Sequence, residues 1–206
     1  MVSIDYKNAR VLAVGAHADD IELGCAGFLS RFKFKPILAV AACGKNDIRS
    51  RESMLSCKVL KATFRPMMLQ DKNLDIVLLI QKIETLISDI KPTIILTHST
   101  NDSHQDHRTV NKAVISAVRN KNCTVLFFKS PSTLDFKPNV FVELSKQNIN
   151  TKLRALKEHS TQAHRRFIEP TIVKSVARYW GTTYRSNNEY CEPFELFRMV
   201  INDIQE

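Results

Sequence analysis

Two short stretches hold most of the residues able to do chemistry. His17-Ala18-Asp19-Asp20 follows the apolar run Val11 to Val14, and THSTNDSHQDHR, residues 97–108, follows Ile94 to Leu96. Four of the six histidines lie in these stretches, His17, His98, His104 and His107; the others are His159 and His164. A carboxylate taken into an interior without a partner shifts its pKa or draws in water, so Asp19 and Asp20 need positive charge nearby. Two histidines and a carboxylate around one divalent ion, with a position left for water, is the ligand plan of hydrolytic zinc sites. His17 and Asp20 are three apart across a strand-to-helix turn, close enough for both side chains to reach one ion. If residues 104–107 open a helix, His104 and His107 share a face. One of these two can complete the ligand set while its neighbour stays free for acid–base work.

Each residue also has a plainer reading. A strand-end histidine is commonly a hydrogen-bonded structural residue, and Asp19 or Asp20 suits the N-terminus of the next helix. Capping, however, gives no reason for His17 or for a second histidine-rich strand end. His98 is read as closing its strand, and Asp102 as a cap or turn former for the segment that begins near His104; neither is counted in the site.

The elements carrying these stretches alternate from the start. RVLAVGAH and PILAVAACG read as buried parallel strands, and DIELGCAGFLSRFKF between them as a helix despite two glycines. Helices follow at RSRESMLSCKVLKAT, DIVLLIQKIETLISDI and about Gln105 to Arg119, with strands at RPMML, TIILTH and TVLFF. This order predicts an α/β fold, doubly wound and Rossmann-like, with a mostly parallel sheet and helices on both faces. Ligands of such sheets bind beyond the carboxyl ends of the strands, where both polar stretches fall. After Phe128 the alternation stops. KSPSTLDFKPN is a loop, VFVEL a short strand, and two helical stretches precede a closing strand at FELFRMV, an irregular C-terminal third. No linker divides residues 1–206, which are read as a single domain. Gly24 and Gly27 lack the G-x-G-x-x-G spacing of a dinucleotide fingerprint and are assigned to close packing of the first helix on the sheet.

With 206 residues, 44% of them hydrophobic, the chain can bury a sizeable core. No apolar window is long enough to span a bilayer and the first residues lack the features of a signal peptide, so a cytoplasmic location is expected. Cys25, Cys43, Cys57, Cys123 and Cys191 are odd in number, with no C-x-x-C pair, and read as reduced thiols. Thirty Lys plus Arg against twenty-one Asp plus Glu leave a charge of +9, which favours an anionic partner or simply aids solubility.

AHADDIELGCAG resembles the AHPDD signature, and HSTNDSHQDHR the D-x-H-x-D-H signature, of the PIG-L and LmbE-like zinc-dependent N-deacetylases. That family includes the N-acetylglucosaminyl-phosphatidylinositol deacetylases and the mycothiol and bacillithiol pathway deacetylases. GKNDIRSRESMLSCKVL is similar to its R-x-x-E helix, KLRALKEHSTQ to its K-x-x-A-x-x-x-H-x-x-Q stretch, and CEPFELFR to its closing E-x-F segment, so the resemblance covers nearly the whole chain. It implies one zinc ion held by His17, Asp20 and His107, with Asp19 as general base. His104 would stabilise the oxyanion or donate a proton as an imidazolium held by a carboxylate partner, and Asp106 would orient a histidine. Arg49 would contact substrate, with Arg51 a competitor for that role. Ala18 stands where the family usually has Pro, which loosens the turn but removes no ligand. The activity implied is removal of the acetyl group from an N-acetylated amino sugar of the N-acetylglucosamine type, on a larger or nucleotide-linked aglycone. A homo-oligomer, trimer or hexamer, is the implied assembly. The alternatives are a zinc hydrolase of another amide or ester and, from a different class, a basic nucleotide or nucleic-acid binder. The second would need clustered Lys and Arg with aromatic platforms, whereas the charge here is scattered. His159 with Gln162, and Tyr179, Trp180, Tyr184 and Arg185, could reach a substrate or serve packing alone.

Overall fold

The computed structural model describes residues 9–31, 36–42 and 47–200. Cys43 and the predicted first helix beyond residue 31 lie outside them. β1 (Val11–Gly15), β2 (Ile37–Val40), β3 (Thr63–Pro66), β4 (Ile94–His98) and β5 (Thr124–Phe128) run parallel. They are connected through α1 (Asp20–Arg31), α2 (Ile48–Leu60), α3 (Ile76–Ile90) and α4 (Gln105–Ala117). β6 (Val140–Leu144), α5 (Lys146–Lys157), α6 (Pro170–Tyr184) and β7 (Tyr190–Arg198) follow, and β7 pairs antiparallel with both β5 and β6. The strand order is β3-β2-β1-β4-β5-β7-β6, a seven-stranded, mostly parallel α/β sheet as the sequence pattern predicts. Order reverses between β1 and β4, and a sheet of this kind opens a crevice at that switch point.

Every residue of β1 is buried, and the two-residue period sends them to both faces. Val11 and Ala13 join one apolar cluster with residues of α1, α2, α5 and α6, while Leu12 and Val14 join the other with α3 and α4. Helices therefore cover both faces. Among the described residues no helix is long and apolar enough to cross a membrane. The four described cysteines are free and buried.

Two strands begin earlier than their apolar residues suggest. β3 starts at Thr63 rather than Arg65, and Pro66 closes it at the edge of the sheet, where a missing N–H is tolerated. β7 starts at Tyr190, four residues before FELFRMV, because Tyr190–Pro193 pair with β6 alone; β5 is engaged only from Phe194 onward.

α1 is broken at Cys25, whose φ of −149° and ψ of 15° interrupt the helical path. A buried ion pair from distant elements replaces the hydrogen bonds lost there. Lys152 on α5 donates from Nζ to the Leu23 carbonyl at 2.7 Å, and Glu192 on β7 accepts from the Gly27 and Phe28 amides at 2.9 and 2.5 Å. The two side chains meet at 2.6 Å. The first turn of α1, which carries Asp20 and Glu22, is thus spliced to the rest of the helix. A Cβ on Gly24 would collide with the Phe128 ring and one on Gly27 with Leu144, which is the close packing expected of both glycines. Replacing Lys152 by methionine strands the Glu192 charge in the interior and is expected to cost about 3–5 kcal/mol, read from a denaturant titration.

Candidate metal centre

The β1–α1 turn is fixed from within. The Asp20 carboxylate curls back to accept the His17 amide at 2.7 Å, and the Asp19 carbonyl receives the Leu23 amide at 2.9 Å, opening α1. Asp19 sits at φ 93°, a conformation that costs a non-glycine residue about 1–3 kcal/mol. With the backbone so turned, the two aspartates point apart: Asp20 toward His17, His98 and His107, Asp19 toward the Arg49 guanidinium at 3.2 Å. Across the switch point, His104 is the N-cap of α4, its Nδ1 accepting the Asp106 amide at 3.2 Å. His104 and His107 stack with centroids 4.6 Å apart, and the His17 ring meets His104 edge-on at 4.8 Å.

Two donor spacings are close to those around one tetrahedral ion. Asp20 Oδ2 lies 3.5 Å from His17 Nδ1 and its Oδ1 lies 3.5 Å from His107 Nε2. Ligands bonded to zinc at about 2.0–2.1 Å stand roughly 3.4 Å from one another. Three overlapping triplets have donor atoms all within 4.8 Å: His17 with His104 and His107, Asp20 with His98 and His107, and His17 with Asp71 and Asp106. The expected set of His17, Asp20 and His107 is not itself one of these triplets: His107 shares one with His17 and another with Asp20, and the two 3.5 Å spacings run from different oxygens of Asp20. A mixture of imidazole nitrogens and a carboxylate oxygen suits zinc better than magnesium or calcium, which favour oxygen alone.

Electrostatics point the same way. Burial works against the charged form of His107, yet Asp102 and Asp20 outweigh it and raise its pKa to about 10. His17 is also raised, burial being overcome chiefly by Asp20. Burial pushes the Asp20 carboxyl up, but His98, His107 and His17 together hold it well below the usual range. The negative potential that favours protons on these imidazoles would equally favour a divalent cation in their place. Asp19 behaves oppositely: burial, then the Asp20 charge, raise it to about 7, with Arg49 opposing.

Several residues left out of the sequence reading belong here. Asp102 does cap, accepting the His104 amide at 2.8 Å, but its other oxygen lies 3.1 Å from His107 Nδ1. Ser130, Ser132 and Thr133 also donate to it, at 2.6, 2.7 and 3.0 Å. A carboxylate on Nδ1 holds the proton there and leaves Nε2 free as a ligand. Asp102→Asn is therefore expected to weaken zinc binding about 10–100-fold, measured by competition with a chromophoric chelator. His98 closes β4 as read, and it is also fully buried, accepts the Ala16 amide at 3.0 Å on Nε2 and stacks on His107 at 3.9 Å. Burial lowers its pKa, in keeping with a neutral ring. Asp71 approaches His17 Nε2 at 3.0 Å from the loop after β3.

One expectation about α4, the charge on His104, needs correction. The Asp106 carboxylate contacts a histidine ring, that of His17 at 3.1 Å; it also accepts the Lys72 amide at 2.8 Å. Among the described residues no carboxylate hydrogen-bonds to the His104 ring, and its pKa is lowered by burial and by the neighbouring His107 and His17. An Nδ1 that accepts an amide proton leaves the neutral ring protonated at Nε2, so His104 is a neutral donor rather than an imidazolium.

Of the two arginines, Arg49 faces this centre. It donates to the Ala18 carbonyl at 2.6 Å and to Asp19, and its buried Nε has no hydrogen-bond partner; Arg51 is exposed. His159 is fully buried 3.2 Å from Glu22, which accepts from Ser56, and so supports α1 from behind. Gln162, three residues on, is also buried; its backbone amide donates to the His159 carbonyl at 3.0 Å and its side-chain amide to Thr161 at 3.1 Å. Trp180 packs among Phe136, Phe141 and Tyr179.

Residues 12–118 match the family described as PIG-L, GlcNAc-PI de-N-acetylase. A protein of Escherichia coli K12 named uncharacterized deacetylase YaiS is 33% identical over 185 residues, covering 78% of this chain and 96% of the relative. Among solved structures, the conserved protein TT1542 of Thermus thermophilus superposes with a TM-score of 0.79 at 21% identity, covering 95% of this chain and 97% of the other. The N,N'-diacetylchitobiose deacetylase of Pyrococcus horikoshii gives 0.78 at 18% identity, covering 93% and 85%. At such identities these two likenesses speak for the fold.

Proposed function

Starting from the fact that the chain belongs to the PIG-L family, we propose that it is a zinc-dependent N-deacetylase acting on an N-acetylated amino sugar of the N-acetylglucosamine type. The observation that carries this reading is Asp20 within 3.5 Å of both His17 and His107 while Asp19, one residue away, points to Arg49. His17, Asp20 and His107 would hold the ion, and the deacetylase names of the relatives support amide hydrolysis as the reaction.

Hydrolysis of an amide needs a deprotonated water, a stabilised oxyanion and a proton for the departing amine. Zinc bound by these residues would lower the pKa of a water toward about 7 and polarise the carbonyl. Asp19, ionised near neutrality and held by Arg49, would take the proton from that water and pass it to the leaving nitrogen. His104 would donate from Nε2 to the developing oxyanion; its ring adjoins those of His17 and His107, at 4.8 and 4.6 Å, which supports that role. Asp106 would keep His17 in position, and the partly exposed guanidinium of Arg49 would bind a substrate oxygen. The proposed setting is the cytoplasm, and the proposed assembly a trimer or hexamer, open to test by light scattering.

The reading is tested by incubating the protein with N-acetyl amino sugars and measuring acetate. Release that disappears with a chelator and returns with about one equivalent of zinc is expected; no metal-dependent release from a broad panel overturns it. A hydrolase of another amide or ester would show metal-dependent turnover of those compounds instead.

A further inference from the structure

Beside the histidine cluster, between the first turns of α1 and one face of α6, lies a cavity of about 230 Å³. Leu23, Phe167, Ile172, Val176 and Trp180 form its walls together with Pro131 and Pro193. Its charged lining residues are Lys129, Lys152 and Glu192, and the last two neutralise each other at 2.6 Å while splicing α1. Among the described residues no carboxylate lies within ion-pairing distance of Lys129, whose Nζ donates to the Ser130 carbonyl at 3.3 Å.

The cavity and the proposed metal centre share structure. Ser130, in the cavity wall, donates at 2.6 Å to Asp102, the carboxylate that holds His107. Leu23, in the opposite wall, stands three residues after Asp20 on the same helix and donates its amide to the Asp19 carbonyl. Whole small-molecule sites occupy about 300–1,000 Å³, so this volume is that of a compartment for one part of a ligand. α6 leaves Ile172 37% and Val176 48% exposed on this side, apolar surface that a bound apolar group would cover.

Resting on the deacetylase reading above, we propose that this cavity is an aglycone subsite, and that the substrate is an N-acetylated amino sugar whose aglycone is an alkyl or aryl group. The sugar's acetamide would lie at the histidine cluster while the apolar aglycone fills the space between Leu23 and Trp180. The subsite would then favour such substrates over a free sugar, since each buried methylene contributes favourably to binding.

Trp180 is the single tryptophan of the chain, so binding can be read without turnover. The full-length protein is titrated with methyl and with octyl 2-acetamido-2-deoxy-β-D-glucopyranoside below micelle formation, following tryptophan fluorescence and, in parallel, acetate release. A fluorescence change saturating at concentrations at least tenfold lower for the octyl than for the methyl glycoside is expected, with kcat/KM ratios in the same direction. Ile172→Ser combined with Val176→Ser should reduce the octyl-over-methyl preference at least fivefold. An octyl-selective fluorescence response with no acetate from either compound would sink the deacetylase reading and leave the subsite standing. Equal kcat/KM for the two compounds with no fluorescence response would overturn the subsite and leave the activity standing. Octyl preference unaltered in the double variant would also overturn it.

Discussion

Replacing His107 by alanine is expected to abolish stoichiometric zinc binding and to lower acetate release at least about a thousandfold. The magnitude follows from the several kcal/mol of charge stabilisation that a metal supplies, at about 1.4 kcal/mol per factor of ten. His107 is the ligand candidate with the most preparation behind it. Asp102 holds its Nδ1 at 3.1 Å, His98 stacks on it at 3.9 Å, and Asp20 faces its Nε2 at 3.5 Å. Loss of activity through unfolding is separable from loss of metal, because Asp102 keeps four other donors, the His104 amide and the hydroxyls of Ser130, Ser132 and Thr133. Elemental analysis should therefore find a folded, zinc-poor protein. The metal-free parent supplies a second readout with a definite sign. The His107 pKa is raised in the folded chain to about 10, so its contribution to stability is fully present below about 6.5 and is lost as pH rises through 10. In metal-free protein the difference in melting temperature between parent and variant should be largest in mild acid and shrink as pH rises toward 10, leaving the packing cost of the lost ring. Zinc near one equivalent in the variant would remove His107 from the ligand set.

How much of this could be seen in the chain alone depended on sequence distance. His17 and Asp20 were legible because three residues separate them and an apolar strand precedes them, and His104 with His107 because helix periodicity places both on one face. Asp102 looked like a cap and is one; its second function is made by Ser130, Ser132 and Thr133, which the β5 loop brings to it from about thirty residues away. No local pattern announces that encounter. The same holds for Asp71 against His17, 54 residues apart, and for Lys152 and Glu192, 40 apart, which are needed only because α1 breaks at Cys25. The choice between Arg49 and Arg51 turned on helix phase. Asp47 caps α2 by accepting the Arg49 amide, placing Arg49 in the first turn, from which it reaches the Ala18 carbonyl while Arg51 turns to solvent. The start of β7 was hidden because Pro193 argues against a strand, and only the end of β5 pairing at Phe194 makes room for it.

Asp19→Asn should lower kcat by roughly 10²–10⁴-fold, the range for loss of a positioned general base, while making the metal-free protein more stable at neutral pH. The two effects share a cause. Burial and the Asp20 charge raise the Asp19 pKa to about 7, so between its ordinary value near 3.8 and that pH the folded chain binds a proton the unfolded chain does not. Stability contributed by this group therefore falls as pH rises across that window, and an amide, which never ionises, escapes the penalty. Asparagine also accepts positive φ more readily than most residues, which eases the cost of holding φ 93°. For the parent enzyme the same shift sets the acid limb of kcat/KM at or below about pH 7, since the base works only when ionised and a neighbouring cation would draw its pKa down. Arg49 is the lever on that limb: its guanidinium, 3.2 Å from Asp19, holds the carboxyl lower than burial alone would, so Arg49→Met should move the limb to higher pH. A melting temperature that falls in Asp19→Asn, or turnover within tenfold of the parent, would show that Asp19 serves the fold and that the proton goes elsewhere.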